Sequence, residues 1–230
     1  MAATVIGARE IRPVRFWEST NGKKVIMGAT GFILFAFIIG HMLGNLQIYA
    51  GADKFNGYGH FLHGVPELLW IVRIGLLIAV GLHIWASIGL AARKINARPV
   101  GYAKRQNTVS SYASRTMYWS GPILLAFIIY HILHLTAGVV HPGSSFKEGD
   151  VYANTVSGFQ VPYVSAWYIF SMILLGLHLR HGVWSMFQSL GINHPRHTPI
   201  LQKAALLFAI IITAGFISIP VSVLLGLVKL

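Results

Sequence analysis

The chain has 230 residues, of which 55% are hydrophobic and only 10% charged, far below the roughly 25% charge of a soluble domain. A formal net charge of +12 would call for nucleic acid only on a soluble basic face. Here most of it lies in short loops between apolar spans, which is a membrane-topology signal, so no nucleic-acid partner is expected. The absence of cysteine excludes disulfides, thiolate-held iron–sulfur clusters within this chain and covalently attached c-type haem.

Residues 1–24 are polar and basic, with Phe16 and Trp17 placed to lie at a membrane surface. They contain no apolar region followed by a small-residue cleavage site, so no removable signal peptide is expected and the first span serves as a retained anchor. Five apolar spans follow, over about 25–49, 66–92, 116–140, 163–188 and 201–228, each long enough for the ~20 residues that cross a bilayer. The expectation is a single transmembrane domain over 1–230: an all-α, multi-pass integral membrane protein. Trp70, Trp119 and Trp167 stand near span starts, where aromatic belts form. Gly121-Pro122 is read in the first turns of the third span, and Pro220 is expected to kink the fifth.

Lys and Arg by loop set the orientation. Thirteen lie in the N-terminal tail (Arg9, Arg12, Arg15, Lys23, Lys24), the 93–115 loop (Arg93, Lys94, Arg98, Lys104, Arg105, Arg115) and the 189–203 loop (Arg196, Lys203). The other side has three, Lys54, Lys147 and Lys229, while Arg73 and Arg180 sit within spans. This predicts a cytoplasmic N-terminus and an external C-terminus. The 50–65 and 141–162 connections are then external, and their Gly, Ser, Asn and Tyr content suits a cap over the outer end of the bundle.

Four histidines lie deep in successive spans: His41, His83, His131 and His178. Burying an imidazole in lipid is costly unless something engages its ring nitrogens. At a rise of about 1.5 Å per residue, position along a span gives depth. His41 lies 17 residues beyond Lys24 and His131 16 beyond Arg115, both in the outer half; His83 lies 10 before Arg93 and His178 10 before Gln188, both in the inner half. The result is two pairs, on helices one and three and on helices two and four, diagonal partners in a four-helix bundle. Two imidazoles facing across an apolar gap suit bis-histidine ligation of haem iron, the two irons differing in depth by ~9 Å. Zinc, copper or non-haem iron would gather more ligands around one point. The bland alternative is four helix–helix hydrogen bonds. His134 and His181 follow three residues after their neighbours on nearly the same helix faces, where they contact haem propionates or quinone, or simply pack. Gly40 and Gly44 flank His41 in a spacing that serves either a macrocycle's approach or helix packing.

Three stretches carry a resemblance: FWESTNGKKVIMGATGFILFAFIIGHMLGNLQIYAG, SGPILLAFIIYHILHLTAG and LHLRHGVWSMFQSLGIN. With them, nearly the whole chain resembles the di-haem cytochrome b558 membrane anchor of the succinate dehydrogenase/fumarate reductase family, with five transmembrane helices. The resemblance implies two haem b groups, the outer on His41 and His131 and the inner on His83 and His178, whose four imidazoles are the metal ligands. It also implies a flavoprotein with covalent FAD and an iron–sulfur subunit docked on the cytoplasmic face, a bacterial cytoplasmic (inner) membrane location and room for a higher oligomer. The enzyme implied is succinate:quinone oxidoreductase, respiratory complex II, which joins the tricarboxylic acid cycle to electron transport; this chain performs no flavin chemistry itself. Some family members carry a glutamate two residues before the fourth ligand on a proton route; here that position is Gly176, so the resemblance does not carry that route over.

On this reading the chain passes electrons between the iron–sulfur subunit and membrane quinone, either menaquinone or ubiquinone. Glu67, just after His60 and His63, is either a proton acceptor at an outer quinone site or an ordinary interfacial carboxylate. Arg180 is read as a propionate partner, and Arg73 as either that or structural. The rival readings are the cytochrome b anchor of another quinone-linked dehydrogenase and a haem-free proton-relay transporter.

Overall fold

The computed structural model describes residues 15–97, 100, 111–142, 146–192 and 194–230. Arg9, Arg12, Arg98, Lys104 and Arg105, which weigh in the orientation count, lie outside them. The described residues form seven α-helices and no strand: α1 Thr20–Asn45, α2 Ala52–His63, α3 Pro66–Asn96, α4 Tyr112–His131, α5 Val151–Phe159, α6 Pro162–Ser189 and α7 Thr198–Leu224. Five of these, α1, α3, α4, α6 and α7, are long and apolar enough to cross a membrane, with the 3-10 turn Leu46–Ala50 extending α1 and a π-helical turn, Ile132–Thr136, extending α4.

Helix starts precede the apolar runs because capping residues lie upstream of them. Ser19 accepts from the Gly22 amide ahead of α1, and Ser111 accepts from the Ser114 amide ahead of α4; α3 and α6 open on proline, whose missing N–H has no intrahelical partner at that position. The third span therefore runs over 112–136 rather than 116–140, and Pro122 sits inside α4 rather than in its first turns. The last helix stops at Leu224, where the chain turns back and the Leu227 and Val228 amides both donate to the Ser222 carbonyl.

The helices alternate in direction. Lys23 at the start of α1 lies against Gly89 near the end of α3, and Met172 of α6 meets Thr213 of α7. α1 packs on α3 and α6, α6 packs on α4 and α7, and no extended backbone packing joins α1 to α4, α3 to α6 or α3 to α4. The two diagonals are therefore held apart, bridged by side chains. α3 buries only Ala79 and Ala86, and between Arg73 and Arg93 its remaining surface is largely the apolar kind that a lipid phase accepts.

The 50–65 and 141–162 connections each carry a helix, α2 and α5. Asn56 of α2 donates to Asp150 at 3.0 Å and accepts from the Tyr152 amide at 2.8 Å, tying α2 to α5. α5 is buried from Asn154 to Phe159 and caps one end of the bundle. The larger apolar core lies beneath it, including Ile48, Phe55, Phe127, Val156, Phe159, Tyr168 and Ile219. At the opposite, basic end Arg93 donates to Thr20 Oγ1 at 2.8 Å and to the Glu18 carbonyl, and Lys23 stands 4.0 Å from the centre of the Trp85 ring.

Candidate functional site

Toward the capped end, His41 of α1 and His131 of α4 meet with ring centres 5.7 Å apart and planes at 83°. Nearer the basic end, His83 of α3 and His178 of α6 meet at 6.3 Å and 48°. Each pair spans one of the diagonals that the backbones leave unpacked. His41 stacks on Phe37 at 5.2 Å and His131 on Phe127 at 5.7 Å, each one turn back on its own helix.

Three of the four rings are held at Nδ1 by a hydroxyl from a neighbouring helix. His83 Nδ1 lies 3.2 Å from Thr30 Oγ1 on α1. Thr30 spends its own proton on the Ile26 carbonyl at 2.7 Å, so it accepts from His83, which leaves the Nε2 lone pair bare. His131 Nδ1 lies 3.2 Å from the Tyr168 hydroxyl of α6, and His178 Nδ1 makes a long contact of 3.4 Å to Ser120 of α4. The remaining ring, His41, is placed by its aromatic neighbours Phe37 and Phe216. Holding Nδ1 through a second residue is how proteins fix the tautomer and direction of an imidazole that offers Nε2 to a metal.

An iron between two imidazoles sets each ring centre about 3 Å from the metal, a bond of about 2 Å plus about 1 Å within the ring, so the ring centres stand about 6 Å apart. Both pairs have that separation. Among the described residues no three or more His, Cys, Asp or Glu side chains converge as a metal cage, so each pair offers two ligands and no more. Two imidazoles would suit an iron whose other positions a macrocycle fills, and they are too few for a bare zinc or copper centre.

The other candidates lie elsewhere. His134 is fully buried, 2.9 Å from Tyr168 through Nδ1 and stacked on His141. His181 is half-buried, and Arg180 is exposed on α6. Arg73 lies over the ring of Trp70 on its own helix, 5.3 Å from its centre. His60, His63 and Glu67 are exposed at the α2–α3 junction, His63 bonded to the Gly59 carbonyl. None of these three lines the cavity of about 270 Å³ beside α2, which is bounded by Gln47, Asp53, Lys54, Gly57, Tyr58 and Phe61. The Tyr58 ring packs on Gly44, where an added Cβ would lie 2.6 Å from it; Gly44 is one turn beyond His41. At Gly176 an added Cβ would collide with the Thr213 hydroxyl of α7, so a larger side chain there requires Thr213 to shift.

Thr30, Ser120, Tyr168, Tyr58 and His141 carry no distinguishing pattern in the sequence; only their placement marks them. No protein-family model, curated protein or solved structure matches the chain, so a functional reading rests on its residues and their geometry.

Proposed function

We propose that this chain is the di-haem cytochrome b membrane anchor of a succinate:quinone oxidoreductase, passing electrons between a partner iron–sulfur subunit and membrane quinone. The observation that carries the reading is the two histidine pairs, with ring centres 5.7 Å and 6.3 Å apart on two unpacked diagonals. His41 and His131 hold the outer haem, and His83 and His178 the inner one. When bound, haem iron supplies reversible one-electron transfer at a potential set by its axial ligands and their surroundings.

The chain's own part is positional. Thr30, Ser120 and Tyr168 orient the imidazoles, and the lipid-facing helices keep water from both sites. The basic end, with Arg93, Lys94 and Arg115, faces the cytoplasm of a bacterial cell and receives the flavoprotein and iron–sulfur partners. A quinone headgroup is assigned to the cavity beside α2, where Gln47, Lys54 and Tyr58 offer hydrogen-bond donors and Asp53 an acceptor. At about 270 Å³ it falls just below the ~300–1,000 Å³ of drug-sized pockets, which fits a ring headgroup whose tail stays in lipid.

A reduced-minus-oxidised spectrum of the chain purified with its partners tests the assignment. A b-type α-band with two haems per chain is expected, and no such band overturns it. His41→Ala is expected to remove one haem signal and His83→Ala the other. Co-purification of a flavoprotein that oxidises succinate separates this assignment from an anchor of another dehydrogenase.

A further inference from the structure

The capped end holds a line of polar side chains beyond those that face His41. His131 Nδ1 and His134 Nδ1 lie 3.2 Å and 2.9 Å from the same Tyr168 hydroxyl. The His134 ring stacks on His141 with centres 5.0 Å apart, and His141 Nε2 lies 3.2 Å from Ser157 Oγ on α5. Ser157 gives its proton to the Ala153 carbonyl at 2.7 Å.

These contacts assign the protons. Ser157 has none left for His141, so it accepts from His141 Nε2–H and leaves His141 Nδ1 a bare acceptor. If His131 binds iron through Nε2, its Nδ1 carries a proton and donates to Tyr168. The single phenolic proton then goes to His134 Nδ1, which places the His134 proton on Nε2. His134 Nε2 and His141 Nδ1 are both buried without a hydrogen-bond partner among the described residues, and His134 is 0% exposed. A donor and an acceptor thus stand orphaned beside each other, and each loses its hydration for nothing unless a third group meets it. Both rings lie over Gly158, where an added Cβ would come within 2.6 Å of His134 Nε2 and 3.4 Å of His141 Cε1. The His134 ring packs closely on the bare glycine backbone, and for the two unpartnered nitrogens a water with two such partners is the ordinary remedy.

We propose that a single bound water joins His134 to His141, completing a one-way hydrogen-bond relay from the outer haem ligand His131 through Tyr168, His134 and His141 to Ser157 on the external cap. Tyr168 and His134 are then positioning residues that make His131 a more basic ligand. The relay rests on the haem reading of His131; the water site does not, because a water can donate to both nitrogens if the sense of the chain is reversed.

The experiment is a redox titration of the two b haems in the intact purified complex, alongside an experimental density map of the capped end. Tyr168→Phe is expected to raise the midpoint potential of the outer haem and leave the inner one unmoved, because removing an acceptor from Nδ1–H weakens the ligand. His141→Phe, which disturbs the far end of the relay, and Gly158→Ala, which crowds His134 Nε2, are expected to give smaller shifts of the same sign, and they keep the test open should Tyr168→Phe lose the haem. Unchanged potentials in these variants overturn the relay. The map is expected to show one water within hydrogen-bond distance of both nitrogens; no water there, or a direct bond between the rings, overturns the water site. Wild-type protein without b haem would sink the functional reading instead, and with it the relay, while the map would still decide the water.

Discussion

Thr30 does more than fill space between α1 and α3. The residue is 5% exposed, and its hydroxyl donates to its own helix and accepts from His83. Thr30→Val keeps the shape and deletes the hydroxyl acceptor beside Nδ1 of the half-buried His83. Lost second-residue partners typically weaken metal sites about 10–100-fold. The expected outcome is selective loss of the inner haem during detergent purification, read as haem per chain, with the outer haem retained; equal retention of both would remove Thr30 from the site. At the cavity beside α2, Tyr58→Phe is expected to slow quinone reduction several-fold without changing haem content. A rate equal to wild type would move the quinone elsewhere, with His60, His63 and Glu67 next in line.

Two elements carry stability predictions. α5 is N-capped by Asp150, which accepts from the Ala153 amide at 3.0 Å and from Asn56 at 3.0 Å. The Ala153 amide foremost, with Asn56 and nearby Lys147, holds the Asp150 carboxyl below its ordinary 3.8 against the opposing effect of burial. A lowered folded value means the cap's contribution is complete above pH 3.8 and lost as pH falls through the still lower folded value. Acidification below about pH 4 is therefore expected to speed amide exchange in α5 before the spanning helices respond. Asp150→Ala should cost about 1 kcal/mol at neutral pH. Where α6 crosses α7, Gly176 faces Thr213 so closely that Gly176→Leu should cost about 1–3 kcal/mol by overpacking, seen as a lower thermal midpoint in detergent.

For the molecule as a whole, the five spans make a framework in which α6 touches α1, α4 and α7 while α3 is held mainly by α1. Across the diagonals, which the backbones leave unpacked, the His41–His131 and His83–His178 pairs meet. The absence of cysteine makes orientation simple to test. Lys147→Cys is expected to react with an impermeant thiol reagent in intact cells and Lys203→Cys only after permeabilisation; the reverse pattern would invert the topology.

The spans were legible from the residues because lipid demands about 20 apolar positions in a row whatever they pack against. The depths of the four histidines were legible too, since a helix converts residue number into height. What could not be read was everything set by contact across helices. Thr30, Ser120 and Tyr168 reach histidines 53, 58 and 37 residues away, and a hydroxyl on an apolar helix looks the same whether it meets a ring nitrogen or its own backbone. The exposed surroundings of Glu67 and Arg180, the helical cap and the stacked His134 and His141 belong to that class as well. Hydropathy and helical rise act along one chain segment and survive without neighbours. Hydrogen-bond partners exist only once the helices have docked, so the two pairs acquire their supporting hydroxyls in the folded bundle alone.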